Sequence, residues 1–125
     1  MESTVSIEQF REELQSWKHE LSSIKKEEIR QFEHQLEKMA ANKLPKDLLA
    51  QVEHFQNLFI CQKEVIDKLR HDLPDSRNKV DTIFYNLRSV EADRQASELE
   101  ERMNTFRKIY AEIKQDFQQF ESEWM

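Results

Sequence analysis

The chain has 125 residues, a net charge of −6, two prolines and no glycine. Tight turns and phosphate-cradling loops draw on glycine's access to positive φ, so a hairpin-rich fold and a dinucleotide-type loop are disfavoured. Charged residues make up 35% and hydrophobic residues 38%, the balance of amphipathic helices that share a narrow core.

The first helix is announced at its start. Ser6 is placed as an N-cap with Gln9 three residues on, and Val5 and Phe10 are placed as a hydrophobic staple. Apolar residues then recur at Ile7, Phe10, Leu14, Trp17, Leu21 and Ile24, skip one position, and resume at Ile29, Phe32, Leu36 and Met39. A strict heptad drifts backward around a straight helix, and one skipped residue resets it. The spacing therefore predicts one continuous, fairly straight rod over about 7–42. Pro45 disfavours helix at Leu44 and suits the first turn of a second helix.

That second helix is predicted over 45–73. Its seam is Leu48, Val52, Phe55, Phe59, Gln62, Ile66, Leu69 and Leu73, spaced alternately by four and three. Leu58 and Val65 widen the stripe on one flank, and Cys61 beside them reads as a small, semi-buried packing residue. Gln62 is the one polar residue of the seam. It fits either a buried amide that sets register or a seam that is partly wet there. A short connection follows at 74–76, with Asp75 or Ser76 as the next cap.

The last helix is predicted over 76–123. Val80, Ile83, Phe84, Leu87 and Val90 make one stripe; Ala92, Ala96, Leu99, Met103, Phe106, Tyr110, Ile113, Phe117, Phe120 and Trp124 make another. At 100° per residue their centres lie about 130° apart. The segment between them, "EADRQASE", holds good helix formers and no turn residue, which favours one helix that changes packing partner midway. The alternative is a four-helix bundle with a break near 91–98, in which Ser97 and Glu100 form a capping box.

Short connections between helices make antiparallel neighbours. The expected fold is thus a single all-α domain over 1–125: an elongated, coiled-coil-like antiparallel bundle of three long helices. With the turns at 42–45 and 74–76, the last helix reaches the first hairpin near residue 104. About twenty residues would then project some 30 Å beyond the core at 1.5 Å per residue. Leu99, Met103, Phe106, Tyr110, Ile113, Phe117, Phe120 and Trp124 would form an apolar face in water, and a homodimer would cover it.

Charge is spread evenly, 19 basic residues against 25 acidic ones with neither gathered into a tract. Nucleic acid and anionic membrane both call for concentrated positive charge and are not expected partners. A single cysteine leaves no intrachain disulfide, in keeping with a reducing compartment. "MESTVSIEQF" lacks the apolar core of a secretory signal, and the longest apolar run is "LFIC" at 58–61. The expected location is cytoplasmic.

Candidate chemistry is sparse. His71 falls at the heptad position opposite the second seam, among Lys68, Arg70 and Asp72, as part of a solvated face. "RHDL" at 70–73 resembles the start of the histidine box of sensor kinases, in which an exposed histidine followed by an acid accepts phosphate on a dimeric helical hairpin. In that family the proline follows the histidine by five positions; Pro74 follows His71 by three. The resemblance implies a phosphotransfer-like signalling domain with His71 as phosphoacceptor. A metal-binding helical bundle is a further alternative, but no H-E-x-x-H occurs, and no glutamate stands three residues before any of the four histidines. Walker and G-x-S-x-G motifs are ruled out by the absence of glycine. The leading expectation is a non-enzymatic protein–protein interaction or oligomerisation module, a scaffold or adaptor with no cofactor and no small-molecule ligand.

Overall fold

A computed structural model of the chain describes residues 7–73 and 89–124, with side chains described over 9–73 and 94–124. The described residues are helical apart from the connection at 41–45 and Leu73, and they contain no strand. The elements are α1 (Ile7–Ser23), a π-helical segment (Ile24–Ile29), α2 (Arg30–Ala40), α3 (Lys46–Asp72) and α4 (Ser89–Trp124). The expected cap at Ser6, the staple at Val5, the cap at Asp75 or Ser76 and the stretch 76–88 of the last helix lie outside the described residues.

The first rod is continuous but is not α-helical throughout. Its π segment lies where the apolar series skips a position, between Ile24 and Ile29. A π turn closes hydrogen bonds from i to i+5, one residue more than an α turn. The extra residue is thereby absorbed locally, and Ile24 and Ile29 are both buried although they stand five apart. The expected straight α-rod is corrected to two α segments joined by this wider turn.

The rod ends with the Ala41 N–H donating to the Glu37 carbonyl and the Asn42 side chain donating to the Lys38 carbonyl at 3.2 Å. Pro45 stands as the N-cap of α3 rather than in its first turn, with ψ at 152°. At the far end Leu73 is extended, with ψ at 132°, as the clash with a following proline requires.

The predicted seams are the buried faces. Phe10, Leu14, Trp17, Leu21, Leu36 and Met39 of the first rod join Val52, Phe55, Phe59, Ile66 and Leu69 of α3 in one apolar core. Lys25 pairs with Asp67 at 2.6 Å and Glu33 with Lys63 at 2.9 Å, so the rod and α3 run in opposite directions. Asp72 pairs with Arg102 at 2.9 Å, and the Phe55 and Phe117 ring centroids lie 5.4 Å apart, so α3 and α4 also run oppositely. Glu20 with Arg107, and Phe32 with Phe117, set α4 running the same way as the rod.

Two expectations about the last helix are settled by these contacts. α4 passes unbroken through 91–98, and Ser97 and Glu100 lie inside it, so no helix starts there. The projecting apolar end is corrected. α4 comes level with the end of α3 only at Arg102, 30 residues after Asp72 in sequence. Everything beyond Arg102 therefore runs back along α3, and Met103, Phe106, Tyr110, Ile113, Phe117 and Phe120 are buried in the chain's own core. Leu99 and Trp124 are partly buried against it. Six of the eight residues of the expected partner interface are thus buried within the chain itself.

Candidate interaction groove

Two of the three lines along which the helices meet are laced by polar contacts. Between the rod and α3 stand the Lys25–Asp67 and Lys63–Glu33 pairs. Between the rod and α4, the Arg107 guanidinium donates twice to Glu20, from Nε at 2.8 Å and from Nη2 at 2.6 Å. Farther along, the Tyr110 hydroxyl and the Lys114 ammonium both donate to Glu28 Oε1 at 2.9 Å. Glu28 belongs to the π segment, which carries it into this line.

Burial, reinforced by the Glu28 carboxylate, pushes the Tyr110 phenol well above its ordinary value of 10.0. A group whose folded pKa is raised keeps its proton in the fold while the unfolded chain releases it. Its stabilisation is complete below pH 10.0 and is lost progressively as pH climbs above that value toward the folded pKa. Stability measured by denaturant titration should accordingly fall more steeply above pH 10 for wild type than for Tyr110→Phe. Parallel curves for the two proteins would contradict the assigned contact.

The third line, between α3 and α4, is different. Its one ion pair among the described residues is at the end, where Asp72 accepts from Arg102. That bond, with a second from His71 and the nearby Lys68, holds the Asp72 carboxyl below the usual carboxylate range. From there a trough of about 770 Å³ runs between the helices. Leu69, Phe106 and Gln62 form its buried floor; Cys61, Val65, Thr105 and Ile109 form its walls. Cys61 and Thr105 are small and Val65 is short, so the walls do not meet over the floor. Val65 is 41% exposed and Ile109 43%. The expectation that Cys61 and Val65 pack into the widened stripe is thereby corrected, since both are exposed.

Gln62 is buried, at 7% exposure, and its Oε1 has no hydrogen-bond donor among the described residues. Of the two readings open for this residue, burial is the one observed. A buried carbonyl oxygen without a donor is uncommon and costly, on the order of 1–3 kcal/mol. At the rim, Glu98 pairs with Arg94 at 3.0 Å, and Lys68 and Arg102 both engage Asp72. Glu64 and Glu101 have no ion-pair partner among the described residues. The uncommitted charge of the trough is therefore acidic.

Comparison of the chain with protein-family models, curated proteins and solved structures found no match. The reading rests on the residues alone.

His71 lies where the heptad placed it, on the wet face with its side chain 88% exposed. Its Nδ1 is 3.3 Å from Asp72 Oδ1, but that carboxylate is also held by Arg102 and has a lowered pKa, which makes it a weak proton acceptor. No histidine lines the trough beside Cys61. Among the described residues, no group of three or more His, Cys, Asp or Glu side chains could hold a metal ion. No described helix is long and apolar enough to cross a membrane. The floor of the trough was legible from the seams, whereas its open walls depend on which residues of α4 stand opposite Cys61 and Val65.

Proposed function

We propose that the chain is a non-enzymatic protein–protein interaction module, an elongated, coiled-coil-like bundle of three helices that serves as a scaffold or adaptor. The trough between α3 and α4 is its contact surface. The observation that carries this reading is the pairing of exposed apolar walls with a floor amide left without a donor. Four large hydrophobic residues are exposed among the described ones, and Val65 and Ile109 stand together on this one feature. Large apolar side chains gathered along one groove mark a docking surface more often than the same residues scattered singly. The seam from Met103 to Phe120 is covered within the chain, so the contact surface proposed here is the trough and not that seam.

The test is comparative capture from the native cell with wild type and a Val65→Glu/Ile109→Glu double variant. Both side chains are exposed, so the variant should keep its helical signal, and its stability to within ~0.5 kcal/mol per site. Proteins retained by wild type should be lost from the variant. Identical sets retained by the two proteins would remove the trough from the interaction.

A further inference from the structure

We propose that the α3–α4 trough receives one basic amphipathic helix from a partner protein, which completes a local four-helix packing. This rests on the interaction-module reading and specifies its partner. Three properties of the trough define the occupant. Its walls belong to two helices running in opposite directions, so the depression between them has the shape that a third helix fills by ridge-into-groove packing. The described lining spans Cys61 to Leu69 on α3, and Glu98 to Ile109 on α4. At 1.5 Å per residue that is roughly 12–17 Å, or two to three turns. A helix of that length presents anchors at i, i+3 or i+4, and i+7, enough to cover Val65, Phe106 and Ile109.

Charge sets the partner's sign. Glu64 and Glu101 stand at the rim with no ion-pair partner among the described residues, while Lys68 and Arg102 there both pair with Asp72. Lysines or arginines flanking the apolar stripe of an incoming helix would pair with the two free carboxylates. A second copy of this chain is a poorer occupant, because two facing troughs set acidic rim against acidic rim with no unpaired cation among the described rim residues to offset them. Gln62 supplies the remaining element. Its amide can turn either its oxygen or its NH2 toward an entering polar group, and one hydrogen bond would satisfy an acceptor for which the described residues supply no donor.

The experiment uses the full chain and three fluorescent 14-residue peptides. The first carries leucines at helical spacing flanked by lysines, the second has glutamates in place of those lysines, and the third is a scramble of the first. The sole cysteine, Cys61, sits on the trough wall and reports occupancy through its rate of reaction with a thiol reagent. The lysine peptide should bind more tightly than its glutamate counterpart by about tenfold, the ratio reached when two exposed ion pairs turn from attraction to repulsion. It should also slow the modification of Cys61. Glu64→Lys/Glu101→Lys should reverse the preference between the two charged peptides, with an unchanged circular dichroism melt showing that the fold is intact. Equal binding of the charged peptides, equal binding of the scramble, or an unaltered Cys61 rate would overturn the proposal. So would a wild-type dimer in light scattering that Val65→Glu/Ile109→Glu dissociates, which would identify a second copy as the occupant. A failure with the peptides, if native capture still depends on Val65 and Ile109, would leave the interaction-module reading standing and remove only the basic helix.

Discussion

Deleting Lys26 should leave the protein folded, with a melting temperature within a few degrees of wild type, whereas deleting His19 should abolish the cooperative transition. Lys26 is an exposed residue of the π segment. Its loss brings Ile24 and Ile29 to a spacing of four, so an α turn can replace the π turn with both side chains still facing inward. Lys25 stays next to Ile24 and Glu28 next to Ile29, which preserves the contacts to Asp67 and Tyr110. His19 is equally exposed, but it lies within regular α-helix. Removing it rotates Phe10, Leu14 and Trp17 by about 100° relative to Leu21 and everything after it. Three large buried side chains, each worth roughly 1.5–3 kcal/mol, would leave the core together. That sum is comparable with the whole stability of a domain, ~5–15 kcal/mol. Thermal melts followed by circular dichroism separate the outcomes, and equal losses for the two deletions would refute the π turn as the element that absorbs the skipped residue.

Phe117→Ala should cost about 3–5 kcal/mol, and Phe117→Asp should leave no folded state at neutral pH. Phe117 is wholly buried at the point where all three helices meet. Its ring lies 5.2 Å from that of Phe32 and 5.4 Å from those of Phe55 and Phe59, centroid to centroid, with the Phe59 pair edge-on at 86°. Truncation removes three aromatic contacts as well as the apolar area, which places the loss at the upper end of the range. Chemical denaturation measures it. A folded Phe117→Asp variant of unchanged stability would mean that this side chain faces away from the core. Light scattering on wild type at tens of micromolar should give the companion result, a monomer of 15.2 kDa.

The seams themselves were legible. Residues placed inward by spacing in the first rod and in α3, from Phe10 to Met39 and from Val52 to Leu73, are the buried ones apart from Phe32, which is partly buried against the core, because amphipathic helices have few other ways to remove apolar area from water. The skip between Ile24 and Ile29 was visible too, but its effect was not. A drift correction over a whole helix and a local π turn leave the same trace in sequence. The register of α4 was the larger miss. A heptad seam fits its partner almost equally well after a shift of seven residues, so periodicity alone does not fix which level of α3 meets which level of α4. Polar pairs such as Asp72 with Arg102 and Glu20 with Arg107 distinguish the registers, and they join residues 30 and 87 positions apart. No local pattern reports such pairs. The trough follows from that register, which brings Thr105 and Ile109 to line one depression with Cys61 and Val65.

The placement of Phe117 also has a consequence in time. Phe32 and Phe59 meet each other as soon as the rod and α3 fold back together, a step of microseconds to milliseconds for local helical contacts. The ring that covers them is made 58 positions after Phe59 (117 − 59). At about 5–20 residues per second, synthesis takes roughly 3–12 s to cross that distance. For those seconds the nascent pair holds Phe32, Phe55 and Phe59 without their final cover, a sticky face on an emerging chain. The interval before α4 arrives, rather than the finished fold, is when this protein is most exposed to aggregation and most in need of a chaperone.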